Sequence, residues 1–167
     1  SFQVPRLFGS MSVIENMLIA RFADFRLDYR KDYDSATHKA RQLLEMAELH
    51  PLRDKPAKIL SGGQKALLQI VRGFMVENIS VYLLDEPFAG VNVVVKETIM
   101  KVIEQMRQAG VTFLLVSHEM ASVRRMCSRV TVMAQGARIA EGSMEEVAAN
   151  PQVIDAYLGG KSEPTGG

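Results

Sequence analysis

The sequence has one cysteine, Cys127, in 167 residues. That excludes a disulfide framework within the chain and fits a reducing cytoplasm. Neither sign of charge dominates: Lys and Arg number 20 against 19 Asp and Glu, so the charge makes no case for nucleic acid, whose binders concentrate basic residues. No apolar run approaches the ~20 residues that cross a bilayer. The opening residues also lack the basic-then-apolar pattern of a leader, so membrane association is expected to run through a partner. There is no internal repeat. What is present, 47% hydrophobic and 23% charged residues, suffices for a globular domain with a real core. The ten Met read as core filler, not as a metal or cofactor stripe.

The most informative stretch is Leu60-Ser61-Gly62-Gly63-Gln64. After it, Leu67, Ile70, Val71, Phe74 and Met75 mark one buried face of a helix reaching about Val76. Ser61 and Gln64 read as a capping box with two glycines between them. A first helical turn leaves N–H groups without partners and carries part of the positive end of the macrodipole; with no side chains to shield it, such an end suits a phosphate. By itself the pattern more often only starts a helix. The next segment shifts that balance: Val81 to Leu84 is a short apolar run of the kind found in buried parallel strands, ended by Asp85-Glu86-Pro87. The two acids therefore arrive at the carboxyl end of a strand, where open α/β sheets place their ligands. One could hold a hydrated Mg²⁺ while the other takes a proton from water; the plain alternative is a turn cap and a solvated acid.

The rest of the chain reads in order. Residues 1–10 form a loop around Pro5 and Gly9. Ser12 and Glu15 box a helix to Arg21, with Ile14, Met17 and Leu18 inward. Residues 26–34 are a solvated connection, and a helix from Ser35 to Leu49 buries Ala36, Ala40, Leu43, Leu44 and Ala47. Val93 to Ala109 is helical and stops at Gly110. Val111 to Val116 is a second fully apolar strand, expected in a sheet covered on both faces, with His118 directly after it. Residues 129–134 and 137–141 make a hairpin about Gln135-Gly136. Ser143 and Glu146 form a third capping box, and Asn150-Pro151 opens a last helix.

Taken together these residues resemble the ATP-binding cassette (ABC) ATPases. Leu60 to Gln64 resembles their signature motif and Val81 to Pro87 the Walker B strand with its catalytic glutamate. Phe88 to Asn92 resembles the D-loop, Val116 to Glu119 the switch histidine and Phe2-Gln3 the Q-loop. Asn92 in place of the usual D-loop Asp, Met11 to Asn16, and Ala140 to Ser143 with Val153 to Leu158 resemble the branched-chain amino-acid and amide importers. The resemblance implies an α/β fold: a partial P-loop NTPase of RecA type with a mostly parallel sheet, an α-helical signature subdomain and a C-terminal β-hairpin. It implies a Q-loop and signature subdomain at 1–80, the C-terminal part of the nucleotide-binding core at 81–158 and a flexible tail at 159–167.

It also implies an ATPase subunit coupling ATP binding and hydrolysis to solute uptake, with ATP and Mg²⁺ as cofactors. Glu86, His118 and Gln3 would be catalytic; Ser61, Gly62, Gly63, Gln64 and Asn92 would bind nucleotide; Asp85 and Gln3 would serve the metal. The partners implied are a second ABC ATPase subunit and transmembrane permease subunits, with no nucleic acid, at the cytoplasmic face of the membrane. One family motif is missing: Gly-x-x-x-x-Gly-Lys-Ser/Thr, the phosphate loop, occurs nowhere. The chain therefore reads as the C-terminal portion of a cassette, inactive alone. In the family the strand feeding that loop is expected between the Walker B strand and the strand before the histidine, which would leave a gap there and unpaired backbone on both sides. Two other readings stand beside this one: a non-enzymatic piece offering only the signature motif in trans, and a DNA-repair or chromosome-organising ATPase. The second would want long heptads and basic stripes, which are absent.

Overall fold

In the computed structural model, which describes residues 7–22 and 29–157, side chains closing onto their own backbones set the helix starts. Ser12 and Glu15 box the start of α1 (Val13–Phe22), Ser61 and Gln64 that of α3 (Gly62–Gly73), and Ser143 and Glu146 that of α6 (Met144–Ala148). Asn92 caps α4 (Val93–Gln108). Asn150 precedes Pro151 at the start of α7 (Pro151–Tyr157), accepting from the Gln152 N–H at 2.9 Å. Each cap satisfies N–H groups that a helix leaves open. At its far end α4 closes as a Schellman turn: Gly110 takes φ +97°, its N–H donates to Arg107 O, and the Val111 N–H donates to Met106 O.

Two compact units follow, Ser1–Val116 and Ser117–Gly167. In the first, α2 (Tyr29–Met46) packs with α1 and α3 around Val13, Met17, Ala40, Leu44, Leu68, Val71, Phe74 and Met75, all buried. Residues 29–34, expected to be a solvated connection, are the first turns of α2; their mixed, charged sequence gives no apolar period to detect. The signature helix ends at Gly73, earlier than expected, and Phe74 caps it. Asn16 is fully buried. Its Oδ1 accepts the Phe8 N–H at 2.8 Å, and its amide donates to Phe8 O at 3.1 Å and Ser12 O at 2.9 Å. Lys39 donates to Val76 O at 3.4 Å just past the end of α3, where a cation meets the negative end of the helix. Burial first, then Arg21, lowers the Lys39 pKa, and Glu77 opposes them.

The sheet of this unit is a parallel pair, β1 (Val81–Asp85) and β2 (Thr112–Val116), in register from Val81↔Thr112 to Asp85↔Val116. This corrects the expected gap: the two strands bond directly to each other, and no strand intervenes. Consecutive strands joined by a helical crossover commonly pair as neighbours, which α4 accomplishes here. Among the described residues the expected cover is present on one face of the pair and not on the other. On one face Tyr82 and Phe113 pack on Phe74, the rings of Tyr82 and Phe74 stacking at 4.7 Å. On the other, Val81, Leu83, Leu114 and Val116 stay 65%, 62%, 59% and 49% exposed. An apolar run reports strand preference, and the cover depends on what packs against it.

The second unit opens with α5 (Met120–Met126), which the sequence pattern did not reveal. It continues with an antiparallel hairpin, β3 (Val130–Ala134) and β4 (Ala137–Gly142), irregular between Val132 and Met133. Gln135 and Gly136 have φ of +50° and +80°, the two left-handed residues of a type I′ turn. The Tyr157 hydroxyl donates to Met133 O at 3.1 Å, holding α7 on the hairpin.

Candidate functional site

At the tip of α3 the Ser61 Oγ accepts the Gln64 N–H at 3.2 Å, and Gln64 Oε1 accepts the Ser61 N–H at 3.0 Å. Ser61 and Gly62 are exposed, and a Cβ built on Gly62 would meet nothing within 4 Å. The first turns of α3 and α4 contain no acid. The tip is thus a positively polarised helix end with open backbone donors, and the Ser61 hydroxyl proton remains available to an acceptor. This arrangement fits a phosphate.

Gly63 sits where a Cβ would lie 3.4 Å from both γ-carbons of Val95 and 3.5 Å from Val91. That approach brings the start of α3 against the start of α4, so Ser61 to Gln64 and Asn92 share one edge of the unit. The Asn92 Oδ1 is engaged: it accepts the Val95 N–H at 2.9 Å.

Asp85 is the exposed last residue of β1. Glu86 follows in the left-handed region at φ +48°, a conformation that costs a non-glycine residue on the order of 1 kcal/mol and persists where neighbours enforce it. Here the Glu86 N–H donates to Val116 O at 2.8 Å, and Glu86 O accepts the Ala89 N–H at 3.2 Å. The end of β2 therefore fixes the backbone of the second acid, and the chain turns over a buried Phe88 toward α4. The break from strand geometry also sends the two carboxylates in different directions. No described residues form a group of three or more metal-ligating side chains. Asp85 suits a Mg²⁺ that arrives with phosphate and water ligands, the usual manner for that ion.

His118 belongs to the second unit, two residues beyond Val116, and is exposed. It rides on a turn in which Ser117 Oγ accepts the Glu119 N–H at 3.1 Å and the Glu119 carboxylate accepts the buried Ser122 hydroxyl at 2.6 Å. Gln3 lies outside the described residues, as does the tail at 159–167.

A family model described as ABC transporter matches residues 1–89. The chain belongs to the ABC transporter family. A second model, for branched-chain amino acid ATP-binding cassette transporters, matches residues 137–162 of this ABC chain. A probable branched-chain amino acid transport ATP-binding protein LivG of Archaeoglobus fulgidus is 36% identical, over 95% of this chain and 64% of its own length. The high-affinity branched-chain amino acid transport ATP-binding protein BraF of Pseudomonas aeruginosa is 32% identical, over 95% of this chain and 66% of its own. The ABC chain thus spans just under two thirds of the length of these relatives. Among solved structures, an ATP-binding cassette of an ABC transporter in its ADP conformation superposes with a TM-score of 0.77 at 30% identity, covering 94% of this chain and 66% of that one. A nucleotide-free cassette gives 0.78 at 30% identity, covering 93% and 66%. The α/β fold is that of the P-loop NTPase cassettes.

Sequence reasoning missed three contributors. The Val116 carbonyl that holds Glu86 acts through its backbone and leaves no residue signal. The Asn16 clamp closes on the backbone of Phe8 and Ser12, which its place in the Met11 to Asn16 resemblance does not reveal. Gly73 and Tyr82, nine positions apart, are a matched pair: a Cβ on Gly73 would stand 2.0 Å from the Tyr82 hydroxyl, which donates to Ile70 O at 3.1 Å. Burial raises the Tyr82 pKa, and the nearby Arg72 charge opposes it.

Proposed function

We propose that this chain forms the signature and Walker B part of the ATP-binding subunit of an importer for branched-chain amino acids or related solutes. It would work with a second ABC ATPase subunit and transmembrane permease subunits at the cytoplasmic face of the membrane, with ATP and Mg²⁺ as cofactors. The observation that carries this reading is the exposed tip of α3, boxed by Ser61 and Gln64 and bared at Gly62. The relatives, which are branched-chain amino acid transport ATP-binding proteins by name, support the solute class. No described helix is long and apolar enough to cross a membrane, in keeping with attachment through a permease.

Mg-ATP, when bound, supplies the phosphoanhydride and the charge that draws the two subunits together. The chain's own residues divide the remaining work. The Ser61 hydroxyl and the Gly62 and Gly63 N–H groups donate to the γ-phosphate of a nucleotide held by the partner subunit, with Gln64 keeping the tip in shape. Asp85 would hold the Mg²⁺, and Glu86 would orient the attacking water and take its proton. His118 and Gln3 touch the γ-phosphate, as the resemblance implies. Asn92 keeps α4 capped beside the tip. Residues 1–80 would act as the signature subdomain and 81–158 as the acid-bearing part of the core.

Without a phosphate-loop sequence, the chain by itself is expected to turn over no Mg-ATP. The test is complementation. The full-length Archaeoglobus fulgidus relative, with the residue that aligns with Ser61 changed to arginine, is mixed with this chain and phosphate release is measured. Restored hydrolysis that vanishes with Ser61→Arg in this chain supports the reading, and no restoration overturns it. Turnover by this chain alone, abolished by Glu86→Gln, would show that it needs no partner's phosphate loop.

A further inference from the structure

The tip of α3 and the acid pair of β1 lie at opposite ends of two elements that meet at one joint. α3 runs from Gly62, capped by Ser61, to Gly73, and β1 runs to Asp85. At the joint the Phe74 N–H turns to Val71 O at 3.1 Å, and the Tyr82 hydroxyl reaches across to donate to Ile70 O at 3.1 Å. The Tyr82 ring stacks on Phe74 at 4.7 Å with 29° between planes and tilts against Phe113 at 5.9 Å. The hydroxyl can get there only because residue 73 has no side chain: a Cβ would stand 2.0 Å from it, far inside van der Waals contact. A helix near its C-terminus has carbonyls in want of donors, and here a strand residue supplies one. Tyr82 is three residues from Asp85 on the same strand, so its hydrogen bond links the acid-bearing strand to the phosphate-facing helix by side chain rather than by chain connectivity.

We infer that Tyr82 is a positioning residue: by locking into the Gly73 notch and bonding Ile70, it fixes the Ser61 tip relative to the Asp85–Glu86 end. The inference deepens the proposed function and rests on it for its purpose, since one half-site serves the partner's nucleotide and the other serves the chain's own. The placement itself is independent of nucleotide. In the Cys127→Ser background, spin labels at Lys65→Cys on α3 and Ala89→Cys beyond β1 report that placement as a distance distribution. Tyr82→Phe removes the hydroxyl and keeps the ring, and is expected to broaden the distribution at least twofold in samples that remain folded by circular dichroism. The pair Gly73→Ala with Tyr82→Leu refills the notch without the hydrogen bond and is expected to broaden it as well. A purely structural tyrosine would lower the melting temperature and leave the distribution narrow. A narrow distribution in either variant overturns the inference and leaves the proposed function standing. Broadening as expected, with no complementation in the mixed assay above, overturns the function and leaves the positioning role intact. If Tyr82→Phe does not fold, the paired variant alone decides.

Discussion

The tip of α3 and the end of β1 carry the two halves of the proposed chemistry and are built in opposite ways. The tip is assembled within four residues: Ser61 and Gln64 satisfy each other's backbone, Gly62 opens the surface, and a buried face running from Leu67 to Val71 anchors the helix. The strand end depends on distant groups. Glu86 is held in a costly conformation by Val116, thirty residues away, and the sheet that delivers it packs on one face only. A phosphate-facing element can thus be made locally, whereas a carboxylate pair at a strand end draws on the whole sheet.

Four substitutions would break or sharpen this contrast. The largest effect is expected at Asn16, which ties the loop before α1 to the helical part of the unit. Asn16→Leu removes the three hydrogen bonds that the buried amide makes to Phe8 and Ser12, while Ser12 O keeps the backbone N–H of residue 16, and should cost about 4 kcal/mol, roughly 1 kcal/mol for each lost bond and about 1 kcal/mol more for the Phe8 N–H left without its partner. Urea unfolding checks it; a loss below half that size would mean that the loop clamp contributes little. Next comes a pair one residue apart on β1. Leu84 is buried and Leu83 is exposed, so Leu84→Ala should cost ~3 kcal/mol and Leu83→Ala under ~1 kcal/mol. Equal losses would show that the outer face is covered in solution.

The smallest effect concerns the solvent side of α4. Hydrogen bonds from Arg107, then Gln108, lower the Glu104 pKa from 4.5 to about 2. Because the folded value is depressed, the stabilisation is fully present above the ordinary carboxylate range and is lost as pH falls through about 2. Glu104→Gln should therefore flatten the thermal-stability profile slightly between about pH 4.5 and 2. Both groups are exposed and screened, so the change should be far smaller than at Leu84.

The same contrast explains what could be read in advance. All three capping boxes, the Gly110 stop and the hairpin turn were legible because each is decided within a few residues. The buried run from Leu67 to Met75 was legible from its period, although α3 itself ends at Gly73. Strand order was not: the direct pairing of β1 with β2 depends on how the α4 crossover packs, and no local pattern encodes it. Nor could alternation reveal the bare outer face, because Leu83 and Leu84 have the same side chain and opposite surroundings. The early start of α2 was hidden by its charges. Gly73 lies inside a helix whose period runs on to about Val76, and nothing in that period marks the space it leaves for Tyr82.

The left-handed backbone at Glu86 also determines how variants of that position should be interpreted. Glutamine carries the same main-chain handicap as glutamate, so a Glu86→Gln comparison isolates the lost proton acceptor like for like. Glycine would relax the turn while deleting the acid, and a β-branched residue would fight the turn itself. An alanine or valine scan through this corner would therefore blend conformational relief or protest with chemistry, and could credit the carboxylate with effects that belong to the bend.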